Sequence, residues 1–372
     1  MEIQLINDTV EWNQIRHSWN DMVRTCQKDD NPFISFEWLW SWWNVFGSNR
    51  ELCILVAKEN GKIEGLAAFM ITPKFGFRIC EFIGTGRTDM LDFIVPQPNR
   101  NKIIFYFLKF LKNNIDWSLI NIRDYAHSAQ SLLNIVETVG LKGDHFVGDV
   151  SPYIPINNKT WDDFLAEKSG KHRGNIKRAI RKAEADRDVD IQLERDYNPQ
   201  LLEEIAFVEA NSWKVSNGMP RLSGLGKDFF RSFCKSFSGK GWLNIWTLRY
   251  KRKLLAYCIN FNHASKIYNY NVAYDKNYMK YLKTYSVGSV LTSIAIRDSF
   301  LRKQLKYDFL RGDETYKWFW TKENKKLSYI GIYKKELRSF IIFSIDFEIR
   351  FFLRNNQFVF NLYKKIRERS LL

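Results

Sequence analysis

The stretch Lys306–Trp320, KYDFLRGDETYKWFW, gathers more ionisable groups than core packing requires. Tyr307-Asp308-Phe309-Leu310 alternates as a short strand. It ends in Arg311-Gly312-Asp313-Glu314, a polar tip with a glycine for the turn. Tyr316, Lys317, Trp318 and Trp320 follow at once. A carboxylate can take a proton, a phenol can give one, and an ammonium can offset developing negative charge. In α/β proteins such strand ends line a crevice.

A second constellation lies just upstream. Tyr285-Ser286-Val287-Gly288-Ser289 opens a helix predicted over 287–305, with Lys280 and Lys283 before it. Free backbone N–H groups at a helix start, a glycine for close approach and nearby ammonium groups suit a pyrophosphate. A third is Lys171–Arg187. Ile176, Ala179, Ile180 and Ala183 share one helical face, while Arg173, Lys177, Arg178, Arg181 and Lys182 occupy much of the rest. That face is either solvated or a site for phosphates on a cofactor, RNA or lipid.

These groups must be held by strands and helices, and the chain supplies them twice. Glu51–Thr72 is a hairpin turning at Glu59-Asn60-Gly61-Lys62, and Trp242–His263 is another. At an offset of 191 residues they align without a gap: Leu52 with Leu243, Ile54 with Ile245, Lys58 with Arg249, Lys62 with Lys253, Ile63 with Leu254, Gly65 with Ala256. Cys80–Ile83 and Met90–Val95 read as strands around Gly84-Thr85-Gly86, a plain turn in the first reading and a phosphate loop in the second. Helix 103–111 and strand 117–122 follow. In the second half, helix 201–213 precedes the hairpin, and strand 267–274, helix 287–305 and the opening strand follow. The order helix, hairpin, strand, helix, strand thus occurs twice, which predicts two copies of one α/β domain. Pro152 and Pro155 mark the junction. The expected divisions are 1–150, 151–335 and a basic, aromatic tail 336–372. Near the start, Phe33–Trp43 reads as an aromatic helix capped by Ser35, packing a core or lining an acyl or glycan groove.

With 57 basic against 41 acidic residues the chain carries +16, which favours anionic partners. Its hydrophobic content of 45% is that of a globular protein. Cys26, Cys53, Cys80, Cys234 and Cys258 form no CxxC, so they read as reduced, buried thiols of a cytoplasmic protein. No metal spacing, signal-peptide core or transmembrane-length apolar run is present, and no metal is expected.

Tyr274-Asp275, the Tyr285–Leu291 helix start and YDFLRGDETYKWFW, in this order, resemble the GNAT-like acyltransferases, including the CelD-like proteins and the FemAB-like peptidoglycan bridge enzymes. The basic stretch Ser169–Lys182 and Trp213 fit the same resemblance, which spans roughly residues 30–335. It implies two tandem GNAT-like domains, each a mixed, mostly antiparallel sheet flanked by helices, followed by a helical tail. It also implies acyl transfer from a thioester or aminoacyl ester to an amine. Lys283, Ser286, Val287, Gly288 and Ser289 are then the expected cradle of a coenzyme A pyrophosphate. The family's Gln or Arg before Gly-x-Gly or Gly-x-Ala is replaced here by Lys283-Thr284-Tyr285-Ser286-Val287-Gly288, so acyl-CoA, aminoacyl-tRNA and other thioesters all stay open as donors. No Ser-His-Asp or Cys-His grouping points to a covalent intermediate. For direct attack by an amine, Asp275 and Asp313 are candidates for base or amine orientation, Tyr316 for the acid, and Lys317 for offsetting charge. Arg173, Arg178, Trp213 and Arg311 are the candidate substrate contacts.

The expected acceptor is a small or lipid-linked amine, such as an amino sugar of an envelope or polysaccharide precursor. A tRNA-dependent transferase of peptidoglycan precursors and a non-catalytic accessory protein of polysaccharide synthesis are the alternatives. DNA is not an expected partner. The tail, aromatic with Lys364, Lys365, Arg367 and Arg369, reads as a helix. It suits either an acidic membrane at the cytoplasmic face or packing on the second domain.

Overall fold

The computed structural model describes residues 1–26, 31–216, 220–278 and 287–355. The chain forms two compact units, Met1–Val150 with the segment from Lys325 onward, and Ser151–Asn324. In chain order the first begins with β1 (Glu2–Ile6), α1 (Thr9–Gln14), α2 (Arg16–Thr25) and α3 (Phe36–Phe46). The hairpin β2 (Glu51–Glu59) and β3 (Lys62–Lys74) follows, then β4 (Phe77–Phe82), α4 (Arg100–Asn114), β5 (Leu119–Tyr125) and α5 (Ala129–Thr138). Strand β6 (Lys142–Pro155) gives its residues through Val150 to the first unit and the rest to the second. The second unit continues with α6 (Trp161–Ala166), α7 (Gly170–Ala185), β7 (Val189–Glu194), α8 (Pro199–Ala210), α9 (Trp213–Ser216) and α10 (Leu225–Ser238). Its hairpin is β8 (Leu243–Tyr250) and β9 (Lys253–His263), followed by β10 (Lys266–Tyr274), α11 (Val287–Leu301), β11 (Lys306–Asp308) and α12 (Thr315–Trp318). β12 (Asn324–Tyr333) and α13 (Leu337–Asn355) complete the described chain.

The first unit's strands run in the order β1-β2-β3-β4-β5-β12, and the second unit's in the order β7-β8-β9-β10-β11-β6. In each, the fourth and fifth strands are parallel and are joined through a helix, α4 or α11. The β1–β2, β2–β3, β3–β4, β5–β12, β7–β8, β8–β9, β9–β10 and β6–β11 pairings are antiparallel. This is the mixed, mostly antiparallel sheet with flanking helices that the sequence predicts.

The repeat extends to backbone detail. The first hairpin has a bulge between Ala57 and Lys58 and turns through Asn60 (φ 52) and Gly61 (φ 77). The second has its bulge between Leu248 and Arg249 and turns through Lys251 (φ 49) and Arg252 (φ 67). Both features fall at the offset of 191 residues. Two central residues with positive φ make the tight turn whose twist matches that of the flanking strands.

Several boundaries differ from expectation, each for a local reason. The chain returns to the first unit at Lys325, ahead of the boundary expected at 335, because β12 pairs with β5 (Ser328↔Tyr125, Ile332↔Ile120). Met90–Val95 is no strand; only Ile94 bridges, to Leu66. Helix α11 stops at Leu301 because Lys303 turns left-handed (φ 52), with Gln304 N–H on the Ser299 carbonyl. Helix α8 stops at Ala210 because the next side chains bond backbone: Asn211 Nδ2 to Phe207 O at 2.9 Å and Ser212 Oγ to Glu209 O at 2.7 Å. The aromatic helix α3 is a core element. Ser35 Oγ caps Trp38 N at 3.3 Å, and Phe36, Trp38 and Trp42 are buried. The tail is the expected helix through Asn355, but α13 packs on the first unit and not on the second domain, because Ile342 and Phe343 meet Ile79 and Leu119.

Candidate active site

The second unit opens a wedge. β10 and β11 pair over only three residues, Lys266↔Lys306 to Tyr268↔Asp308. Beyond them β10 runs on to Tyr274, whereas the other chain stays with β6, Phe309 N bonding Pro152 O at 2.9 Å. The backbone of Asn269–Tyr274 is therefore left on that edge without β11, and an open strand edge presents amide donors and acceptors.

A bulge inside the wedge changes which side chains face it. Asn269 opposes Asn260, but Asn271 opposes Ile259, so Tyr270 is the extra residue. One inserted residue reverses the alternation of side chains beyond it. Ile267, before the bulge, and Val272 and Tyr274, after it, accordingly join the same core, beneath α11. The two asparagines consequently serve opposite faces. Asn269 Nδ2 donates to Asn260 Oδ1 at 2.9 Å and to Cys258 Sγ at 3.1 Å, and Tyr307 Oη donates to Asn260 Oδ1 at 3.2 Å. Asn271 Nδ2 donates to Glu209 Oε1 at 2.9 Å, and its Oδ1 accepts from the Lys214 ammonium.

Glu209 and Lys214 are the charged pair of this buried cluster. Glu209 also accepts from Tyr257 Oη at 3.1 Å and from the backbone N–H groups of Arg221 (2.9 Å) and Leu222 (2.6 Å). Buried carboxylates survive only with such saturation. Burial lowers the Lys214 pKa to about 8, and the nearby Glu209 offsets only part of that. Arg221, Glu314 and Cys258 also act on Lys214, and burial, then Glu314 and Cys258, push the Tyr316 phenol well up. Groups from α8, α9, β9, β10 and the segment after β11 thus converge. Arg221 stacks over the bulged Tyr270, 4.8 Å from its centroid.

The residues singled out from the sequence fall around this cluster. Lys317 is buried, and its ammonium donates to the carbonyls of Leu310 (3.0 Å), Arg311 (2.9 Å) and Gly312 (3.3 Å) and pairs with Glu314 at 2.8 Å. It fastens the turn that carries Tyr316. Gly312 is required there: its φ is 127°, and a Cβ would stand 2.4 Å from Glu314 Oε2. Tyr316 is half-buried against Phe309. Asp313 is exposed and accepts from Trp318 Nε1 at 2.6 Å. Asp275 is buried and holds the turn after β10, accepting from Asn277 N at 2.9 Å. Arg311 is half-buried in the same turn as Lys317's acceptors.

Val287, Gly288 and Ser289 form the first turn of α11. It meets the end of β10 so closely that a Cβ on Gly288 would lie 3.2 Å from the Tyr274 ring. Lys283 and Ser286 lie outside the described residues. The α7 start reaches the other side of the segment after β11: His172 packs on Phe319 and Trp320, and Lys168 Nζ donates to Trp320 O at 2.5 Å. That places half-buried Arg173 beside it and leaves Arg178 exposed, farther along α7. Trp213 adjoins Lys214, whose ammonium is 5.8 Å from its ring centroid. Among the described residues no group of three His, Cys, Asp or Glu side chains could hold a metal ion.

Residues 170–318 match the family model of the acetyltransferase (GNAT) domain. This segment is a GNAT acetyltransferase domain. No curated protein matches the chain. Among solved structures, FemX is similar at a TM-score of 0.63 and 11% identity, over 89% of this chain and 97% of that one. The C-terminal domain (DUF2156) of a candidate lysylphosphatidylglycerol synthetase from Agrobacterium fabrum is similar at 0.55 and 10%, over 89% and 94%. A conserved protein from Bacteroides thetaiotaomicron VPI-5482 is similar at 0.52 and 12%, over 90% and 100%. At such identities these likenesses establish the fold alone: two similar α/β units, the second matched by the GNAT model, in an arrangement of elements similar to that of FemX. The GNAT domain is that of an N-acyltransferase.

Glu209, Lys214, Tyr257 and Asn271 went unseen in the sequence. Their signal was present in part: Asn260, Asn262, Asn269 and Asn271 interrupt otherwise apolar strands. An amide in a core strand needs a partner, and a run of them marks a buried polar network.

Proposed function

We propose that the second unit transfers an acyl group, acetyl in the simplest case, from a coenzyme A thioester to an amine. The observation that carries this reading is the bulged edge of β10, parted from β11, with a proton-handling cluster beside it. The amine nitrogen attacks the thioester carbon, a C–N bond forms, the C–S bond breaks, and one proton passes from nitrogen to a base. Lys214, whose pKa near 8 leaves a neutral fraction at neutral pH, is the nearby base. Tyr316 stays a phenol through the physiological range and can protonate the leaving thiolate. Lys317 positions Tyr316 through the turn it fastens. Asp275 and Asp313 orient the turns on which amine and donor rest. Val287, Gly288 and Ser289, with Lys283 and Ser286, cradle the donor's pyrophosphate. Arg173, Arg178, Trp213 and Arg311 contact the acceptor.

The acceptor class that fits is an amine-bearing precursor of the cell envelope or of a polysaccharide, small or lipid-linked, met at the cytoplasmic side of the membrane. The exposed cations of α7, Lys171, Lys177 and Arg178, support a second reading, an aminoacyl-tRNA donor. Native mass spectrometry of the purified chain separates them. Bound coenzyme A supports the first, and co-purified tRNA without acyl-CoA binding replaces it with the second. With neither, an accessory role in polysaccharide synthesis stands. With acetyl-CoA and a panel of amino sugars, Tyr316→Phe is expected to lower kcat about a hundredfold, read by thiol release, with donor affinity unchanged. A full rate in that variant removes Tyr316 from the chemistry.

A further inference from the structure

Helix α13 has one face that the first unit covers and one that it does not. Ser339, Ile342 and Phe343 are buried, and the last two pack on Ile79 and Leu119 with Phe77, Tyr333 and Phe347 around them. The fit is close: a Cβ on Gly331 would lie 2.8 Å from the Phe343 ring. At about 100° per residue the opposite half of the helix carries Leu337, Phe340, Ile341, Ile345, Phe351 and Phe352, with a single acid, exposed Glu348, among them. These six apolar side chains are 42% to 75% exposed. A helix that simply faces water carries mostly polar and charged side chains there.

An independent element extends the same surface. Phe75, at the β3–β4 turn, is 86% exposed. Its neighbour Gly76 accepts from Arg338 Nη2 of α13 at 2.7 Å, so the turn sits against the first turn of the helix. Cations gather at one end of this apolar surface. Lys74 lies 5.7 Å from the Phe75 ring centroid, and Lys334, Lys335 and Arg338 stand at the start of α13. From 334 to the end, the sequence holds nine basic residues against four acidic ones.

We propose that Phe75 and the outer face of α13 form a docking surface for an anionic lipid bilayer. Apolar side chains bordered by lysine and arginine match such a surface, because the side chains enter the acyl boundary while the cations meet the phosphates. A second copy of the chain is a poor occupant, since like-charged rims would face each other. No described helix is long and apolar enough to cross a membrane, so contact is made with the surface. The proposal rests on the preceding reading only in giving that contact a purpose, access to a lipid-linked amine.

The test needs neither donor nor acceptor, so its failure is distinct from failure of the acyl-transfer reading. The full chain is sedimented with phosphatidylcholine vesicles and with vesicles containing phosphatidylglycerol. Binding is expected to the second only, and Phe75→Glu with Ile345→Glu is expected to weaken it about tenfold or more. Both positions are exposed, so an unchanged melting curve verifies the fold. Four outcomes overturn the proposal: no binding, equal binding to both vesicles, binding unmoved by the two substitutions, and a dimer in light scattering that the two substitutions dissolve.

Discussion

The two units share a frame and differ in what fills it. Each has the same bulged hairpin, and each pairs its fourth and fifth strands over three residues. In the first unit β4 is regular and ends at Phe82, which stacks on Phe69 at 4.6 Å. The chain that follows folds back as a plug. Phe93 packs edge-on to Phe82 at 5.1 Å, and Trp38 Nε1 donates to Thr88 at 2.9 Å. Buried Arg100, opening α4, pairs with Asp92 and donates to the Phe93 carbonyl at 3.1 Å, and His127 meets Asp92 at 2.7 Å. In the second unit the corresponding strand is longer, bulged and lined with asparagines. The lesson is that two copies of one frame part ways at the fourth strand. Followed by phenylalanine and an ion pair, the fourth strand of the first unit is sealed into a core; bulged and lined with asparagines, that of the second anchors a saturated polar cluster.

The sharpest way to break this contrast is to cut the plug. Burial alone would raise the Asp92 pKa, but Arg100 and His127 outweigh it and hold the carboxyl below its usual range. Arg100→Ala leaves that buried carboxylate with His127 and the Phe93 N–H but without its guanidinium, at a cost of about 3 kcal/mol. The expected result in denaturant is a large loss of stability, with the transfer rate per folded molecule kept. A stable variant with a lost rate would move the chemistry into the first unit.

The next largest effect belongs to Lys214. Its folded pKa, near 8, lies below that of an unfolded lysine. Between those two values the unfolded chain binds a proton that the native one does not, so stability rises with pH. The contribution is fully present above the unfolded pKa and is lost as pH falls through about 8. Relative to Lys214→Met, the wild type should therefore gain about 3 kcal/mol between pH 8 and 10.5. Melting curves across that window measure it, and parallel curves would show that Lys214 is not desolvated. The same variant should remove the rise of the transfer rate with pH through about 8, an effect that lost packing alone would not produce.

Legibility in the sequence divides along the same line. The frame was readable because hairpin turns and strand alternation are local, and the offset of 191 residues carried even the bulge from one copy to the other. The turn at Gly312 was readable for the same reason. The cluster was not, because Glu209, Lys214, Tyr257 and Asn271 come from four separate elements and meet only through tertiary packing. The bulge that turns Asn271 toward Glu209 leaves no mark in composition. The plug was misread as strand because Met90–Val95 is apolar, and a buried apolar loop cannot be told from a strand by content alone.

The smallest effect tests the repeat itself. Gly61 and Arg252 occupy equivalent positions, at φ 77° and 67°. A left-handed residue normally calls for glycine, yet the second hairpin holds an arginine there and keeps the same turn. Nothing lies within 4 Å of a Cβ built on Gly61, so only the backbone conformation opposes a side chain. Gly61→Ala should then cost about 1 kcal/mol, and Arg252→Gly should stabilise by a similar amount. If the turns are equivalent, the two shifts are equal and opposite in denaturant midpoint. Unequal shifts would mean that the flanking strands, not the turn, hold one of the hairpins in register.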